Sequence, residues 1–401
     1  RRREISFLVI TEEQALAHIL SVVEALGSCM APLAETNGRF AARDIFAQLA
    51  LPLFDNSAMD GYAVLANSCA PGMRQRVIGE QPAGMDRQLR IAPGEAVRIF
   101  TGAPLPAGAD AVVMQEEVVR EGAEIVVTAP VEPGDFVRRR GGDLSEGQRI
   151  VEAGEQIRPQ TLALLAAQGL PAIEVGTKVR AAILTTGDEL VPPGSSLGPG
   201  QIFESNSILI RALLEQCGAS VALAESCPDD ASSIEAALRR GLAYDVLIII
   251  GGVSVGARDL VKPALGSIGA QTDLWRVAVK PGKPFLFGRA EKCAIFGLPG
   301  NPVSAFVTFL IFVRPAILKM MGAGRDELSL PRFNAQLEEE LKNIGDRSHY
   351  VRGRLAGGKF IPAGLQESHA LHGLKRANAL LRLGPGEIFP RGAFVSVLAL
   401  D

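Results

Sequence analysis

The sequence predicts a multidomain α/β protein, and three observations predict it. Strand-like and helix-like runs alternate over about 150 residues of the second half, the pattern of a doubly wound sheet. Ahead of that stretch, from about 45 to 158, short β-branched runs are broken by turns, which reads as an inserted β domain. Past a linker at 322–331, short runs return and predict a small C-terminal β-barrel or sandwich. The 401 residues argue by length alone for about three domains.

The elements follow in order. Thr11 and Gln14 form a capping-box pattern, and Ala15, Leu16, Ile19, Leu20, Val23 and Leu26 share one helix face that Gly27 ends. Strands are expected at Val97-Arg98-Ile99, Val112-Val113 and Ile125-Val126-Val127, with turns at Pro93-Gly94, Pro133-Gly134 and Ala153-Gly154. VEPGDFVR (131–138) and VEAGEQIR (151–158) nearly repeat, as a duplicated turn-plus-strand unit would. Pro159 opens a helix over 159–168 that Gly169 stops. Strands at 179–185, 221–224, 245–250 and 294–298 then alternate with helices at 206–217, 229–240 and 302–321. The DVLIII strand is apolar throughout, as a parallel sheet covered on both faces requires.

Composition excludes several function classes. A net charge of −3 with 21% charged and 47% hydrophobic residues leaves no basic nucleic-acid footprint, no acidic tail and no disorder signature. Gly 43 and Pro 25 imply many tight turns, while 5% aromatics with one Trp argue against a base-stacking or carbohydrate surface. Five dispersed cysteines without a C-x-x-C pair read as reduced thiols in a cytosolic protein. His369 and His372 complete no zinc cluster and read as polar residues of a late loop. No secretory leader is expected from Arg1–Arg3 and the polar start that follows. The longest apolar stretch, 303–313, is too short to span a bilayer and is closed by Arg314-Pro315. A soluble, cytoplasmic protein without membrane or nucleic-acid partners is the expectation.

Three turns follow strands directly: TTGDEL (185–190), GGVSVGARD (251–259) and GLPGNPVS (297–304). Ligands of open α/β sheets bind where such loops converge, and glycine lets backbone N–H groups approach an anion. Gly251, Gly252, Ser254, Pro299, Gly300 and Pro302 are therefore candidate binding positions. Asn301 is a candidate N-cap, with Pro302 at the first helical position, a start that favours phosphate. Each motif alone could be an ordinary bend, but the three together point to phosphate or nucleotide binding. Asp188, Glu189, Asp229, Asp230 and Asp259 share these loops. Acids beside a phosphate call for a divalent cation such as Mg²⁺, although one of Asp229 and Asp230 is expected merely to cap its helix. Arg276, Lys280 and Lys283 are candidate anion partners.

In the β region, PLFDNSAMDGYAV (52–64) reads as an Asx-rich loop, and TGAPLPAGADAVV (101–113) places Thr-Gly and two prolines before a strand. Asp143 follows Arg138, Arg139 and Arg140, either an anion site or a solvated charge run.

DNSAMDGYA, TGAPLPAGAD, TGDEL with GQIFESN (200–206), GGVSVGARD, KPGKP and GLPGNPVSA resemble the molybdopterin molybdotransferases. These are the molybdenum-insertion enzymes of molybdenum-cofactor biosynthesis, similar also to the E domain of gephyrin. The motifs stand in the family's order. The resemblance implies four domains: a discontinuous helical/β linker domain (1–44 and 145–172), an inserted β domain (45–144), a doubly wound α/β molybdopterin-binding domain (173–325) and a C-terminal β-barrel (326–401). It implies a homodimer, contact with other molybdenum-cofactor biosynthesis proteins, and a reaction in which adenylylated molybdopterin and molybdate give the cofactor and AMP. Carried over by position, Asp60, Thr101, Asp143, Glu189, Asp229 and Asp259 are implied catalytic residues, with Glu189 and Asp259 on a cation such as Mg²⁺. Arg138, Arg276, Lys280, Pro299 and Pro302 are implied substrate contacts, joined from the last domain by Arg352 and Ser368. Phe203-Glu204 stands where the family has Tyr-Asp, Arg276 where Lys is common, and ESHALHGLKRAN (367–378) fits one variant of a Ser-rich pattern. Because the substrate's own dithiolene sulfurs take up molybdenum, no protein Cys cluster is needed. A molybdopterin adenylyltransferase and a gephyrin-like scaffold are the alternatives. The adenylyltransferase module works without the β domain, and a scaffold needs no intact carboxylate set.

Overall fold

The computed structural model describes residues 9–253 and 260–400. The chain divides into two compact units, one of 1–43, 153–166 and 170–401, the other of 44–152 and 167–169.

The larger unit is built on a six-stranded sheet. Its strands are β1 (Arg180–Thr186), β2 (Ser220–Cys227), β3 (Val246–Ile250), β4 (Gln271–Arg276), β5 (Pro284–Ala290) and β6 (Cys293–Leu298), in the spatial order β2-β1-β3-β6-β5-β4. β2, β1, β3 and β6 run parallel, and β5 lies antiparallel between β6 and β4. Every residue of β3 is buried because both faces are covered. Ile248 and Ile250 face the helices Glu12–Val22, Asn206–Gln216 and Pro302–Met320, while Leu247 and Ile249 face Ala231–Gly241 and Val261–Ser267. The doubly wound sheet expected from the alternation is present. β4 and β5 were not foreseen, since the prolines and glycines of VKPGKPF suggested a turn where a hairpin closes the sheet edge.

The expected capping box forms: the Thr11 hydroxyl accepts from Gln14 N–H at 3.2 Å, and the Gln14 side chain accepts from Thr11 N–H at 3.1 Å. That helix stops at Val22, short of Gly27. The chain leaves early because Leu26 N–H donates to Met320 O at 2.9 Å, docking this segment on the end of the long C-terminal helix.

The long helix expected over 302–321 is present. It runs unbroken through Arg314-Pro315 from Pro302 to Met320, 19 residues of mean hydropathy 1.8, with 78% of its apolar window buried inside the protein. Proline is accommodated by one π-turn, Phe309–Val313, in which Arg314 N–H reaches Phe309 O. Phe312 packs on Phe285 at 4.6 Å between ring centroids, so this is a core helix.

Beyond it the expected small barrel closes from five strands. Ser348–Ala356 pairs with Lys359–Pro362, which continues through Arg332–Leu337, Phe394–Ala399 and Ala379–Leu383 back to Ser348–Ala356. Gly357 and Gly358, both at positive φ, make the tight hairpin turn.

The smaller unit holds a six-stranded sheet, ordered Ala111–Met114, Gly61–Val64, Glu95–Ile99, Arg74–Gln81, Glu124–Val127, Val118–Glu121. Alternate residues feed two cores, Tyr62, Val64 and Val113 on one face, Ala63, Val97 and Val112 on the other. Residues 145–152, read above as part of the linker domain, stay with this unit because Arg149–Val151 pairs with Ile45–Phe46.

Candidate functional site

The strand order sets where a ligand can enter. The chain passes from β1 to β2 on one side, then crosses to β3 on the other, so the loops after β1 and β3 diverge at the carboxyl edge. A cleft of about 680 Å³ opens there. Thr185, Thr186, Gly187 and Glu189 line it after β1, Asp229 after β2, Gly251 to Val253 after β3, and Pro299 to Pro302 after β6. Three motifs that begin at 185, 251 and 297 therefore meet in one wall, as their strand context predicted.

Of the residues proposed from sequence, this cleft gathers Glu189, Asp229, Gly251, Gly252, Pro299, Gly300 and Pro302. Ser254 and Asp259 lie outside the described residues. Asp229 and Asp230 part company as expected. The Asp230 carboxylate caps Ala231–Gly241, accepting from Ser232 N–H at 3.1 Å and Ser233 N–H at 2.9 Å, and these bonds with the Ser232 hydroxyl hold its pKa down at about 2. Asp229 stays on the cleft, where its pKa is raised by desolvation and then by the charges of Asp188 and Glu189. Asp188 is tethered by Asp229 N–H at 3.0 Å. Among the described residues no group of three or more His, Cys, Asp and Glu side chains could hold a metal ion. The carboxylate crowding is nevertheless the kind a cation relieves.

Gly251 and Gly252 sit at φ +87° and +60°. A Cβ at Gly251 would lie 2.7 Å from Thr186 O, so the close approach of β1 and β3 at the cleft floor demands glycine. Gly251→Ala is expected to destabilise the protein by about 2 kcal/mol, from left-handed strain and this clash. Thermal unfolding measures it, and an unchanged melting temperature would remove the constraint.

Asn301 does not cap its helix. Its side-chain amide donates instead to the Ser368 hydroxyl at 3.0 Å, and Val303 N–H donates to Ser368 O at 3.1 Å. Ser368 thus buttresses the helix start. Because Pro302 has no N–H and Val303's is taken, this helix end offers fewer donors to a phosphate than its sequence suggested. Arg352 is also placed differently from the expected substrate contact. Only 1% exposed, its guanidinium donates to the carbonyls of Leu365, Glu367 and Ala370, fixing the loop that carries Ser368. Arg276 ends β4, and Lys280 and Lys283 lie in the loop that opens β5, at the same sheet edge, without lining the cleft themselves. Val279-Lys280 pairs with Ser348-His349; burial, then the nearby Lys280, pushes the His349 imidazole down to about 4.

Four cleft residues escaped the sequence reading. Among the described residues the Asn206 carbonyl oxygen is buried without a protein partner, which leaves it available to a ligand, and the buried Thr186 hydroxyl lies beside the Asp229 carboxyl. Asn206 also donates to Gly300 O at 2.6 Å, tying two walls together. His369 and Leu371 arrive from the C-terminal barrel. Proximity of His369 to Ser368 was the one available signal. Glu204 caps the helix that follows, accepting from Ser207 N–H at 2.8 Å.

The smaller unit assembles its own group. Asp60 Oδ1 accepts from Thr101 N–H and from the Thr101 hydroxyl, both at 2.8 Å, and these bonds lower its pKa. Asn56 pairs on one side with Arg138 and on the other with Pro104, so DNSAMDGYA, TGAPLPAGAD and the arginine run converge. Arg139 is engaged by Asp55 at 2.8 Å and Arg140 by Glu146 at 3.6 Å, whereas Arg138 makes no ion pair among the described residues. Only part of the run is a solvated charge pattern. Asp143 is exposed, its N–H donating to Leu51 O at 3.0 Å.

Comparison with known proteins follows from this geometry. Residues 10–169 match the MoeA N-terminal region (domain I and II), 182–319 a probable molybdopterin binding domain, and 334–400 the MoeA C-terminal region (domain IV). A Haemophilus influenzae protein named molybdopterin molybdenumtransferase is 39% identical over 323 residues, 80% of each chain. Molybdopterin molybdenumtransferase 2 of Mycobacterium tuberculosis is 37% identical over 380 residues, 91% of this chain and 93% of that one. A crystal structure of the molybdopterin biosynthesis moeA protein from Pyrococcus horikoshii superposes with a TM-score of 0.84 at 30% identity, covering 98% of this chain and all of that one.

Proposed function

This chain belongs to the MoeA family of molybdopterin molybdenumtransferases, and from that premise we propose that its cleft inserts molybdate into adenylylated molybdopterin with release of AMP. The observation that carries the reading is the cleft itself, where carboxylates, paired glycines and the unpartnered Asn206 oxygen meet at the switch point of a doubly wound sheet. The adenylyltransferase alternative is set aside because the matches extend over the β domain and the C-terminal barrel as well as the α/β domain.

In this reading Gly251 and Gly252 let the ligand approach the sheet edge closely, and Thr186 and Asn206 hydrogen-bond its polar groups. Asp229, its pKa raised by desolvation and then by its acidic neighbours so that its carboxylate is a stronger base, accepts a proton from the water that cleaves the phosphoanhydride. Arg276, Lys280 and Lys283, cations at the same edge, attract molybdate. Glu189 with Asp259 would hold a divalent cation such as Mg²⁺, which when bound polarises the phosphoanhydride. Asp60, Thr101, Arg138 and Asp143 form the second constellation of the same chemistry. The two bonds from Thr101 to Asp60 support a defined role.

The working form is a homodimer in the cytoplasm. Exposed Phe46, Leu49, Leu53, Phe54 and Met59 support an interface on the smaller unit, and sedimentation should return twice the chain mass. The deciding experiment is incubation with adenylylated molybdopterin and molybdate. AMP release with cofactor formation is expected, and the absence of both overturns the reading.

A further inference from the structure

We infer that His369 is an additional anion-contacting residue of this cleft, reading the phosphate of the adenylylated substrate; the inference rests on the reading of the cleft just given. A site for a doubly anionic ligand needs donors, yet the side chains lining this one include the carboxylates of Glu189, Glu204 and Asp229. Among the described lining residues His369 carries the sole basic side chain. The adjacent helix start offers fewer donors than its sequence suggested, since Pro302 has no N–H and Val303 N–H is spent on Ser368 O at 3.1 Å.

The backbone around His369 is fixed on both sides while its ring is left free. Ser368 is bonded through both its carbonyl and its hydroxyl to the start of the long helix. Glu367 and Ala370 are held through their carbonyls by the buried Arg352 guanidinium, each at 3.2 Å. His369 O accepts from Leu371 N–H at 2.9 Å. Among the described residues no hydrogen bond engages the imidazole. A side chain without a structural partner, on a loop this strongly anchored, at the wall of an acidic cleft, is placed to serve a ligand. Imidazole donates an N–H in either protonation state, so the contact to a phosphate oxygen survives at neutral pH. Arg352 is then a positioning residue, acting on the anion through the loop.

Titration calorimetry on the full chain tests this with AMP, adenosine and adenylylated molybdopterin as ligands. His369→Ala is expected to weaken AMP and adenylylated molybdopterin by about tenfold, the worth of one charge-assisted hydrogen bond. Adenosine affinity and the melting temperature should not move, and His369→Arg should restore most of the AMP affinity. Unchanged AMP affinity in His369→Ala, or an equal loss for adenosine, overturns the role of His369 while leaving the cleft reading intact. Parent protein that binds neither AMP nor adenylylated molybdopterin overturns the cleft reading itself.

Discussion

Replacing Asp229 with asparagine is expected to cut AMP release at saturating substrate by about a hundredfold or more, the scale of a lost proton acceptor, while the melting temperature holds or rises. Desolvation, then Asp188 and Glu189, raise the Asp229 pKa. A carboxyl raised in the folded state favours folding fully below its unfolded value, about 3.9, and loses that contribution as pH climbs through the folded value. Above the folded pKa the ionised group therefore opposes folding, and asparagine removes the opposition. The melting-temperature difference between variant and parent should shrink as pH is lowered toward 4. Lost activity without lost stability marks a residue kept for chemistry. A clear drop in melting temperature at pH 7 would assign Asp229 to structure instead.

The second large effect concerns Arg352. Arg352→Ala is expected to destabilise the chain by about 3 kcal/mol or more, because a fully buried side chain is removed and three carbonyls lose their donor. Released from that anchor, the loop carrying Ser368 and His369 should weaken substrate affinity more than it lowers kcat. Chemical denaturation and steady-state kinetics read the two parts separately. Full stability would contradict the buried anchor. An affinity that does not move would detach the loop from the cleft.

The local elements were largely legible in the sequence. Thr11 with Gln14 specified a capped helix because that bond pattern spans three residues. Strand-then-turn motifs placed Glu189, Gly251 and Pro299 at one sheet edge because parallel strands all end at the same edge. The Asp229–Asp230 ambiguity was also visible, since either acid could cap and one would then be free.

What the sequence left open was decided by contacts between distant segments. Nothing local in 284–290 announces β5, which exists because β4 and β6 offer edges to pair. How the helix expected over 302–321 would pass Arg314-Pro315 was open until a π-turn absorbed the missing donor inside an apolar core. Asn301 has the chemistry of an N-cap, but its side chain is turned so that its amide donates to the hydroxyl of Ser368, 67 residues on. Arg352 has the chemistry of a phosphate ligand, yet burial beside three unsatisfied carbonyls makes it the clamp of a loop. His369 looked like an idle polar residue until that clamp and Ser368 brought it to the cleft. The sequence by itself determined the α/β framework and the acidic, glycine-rich edge, since periodicity and turn chemistry act over a few residues. Which polar groups would be spent on structure and which left for a ligand was decided by the tertiary fold alone, because a hydrogen-bonding group is free or engaged only relative to partners that the folded chain brings within 3 Å.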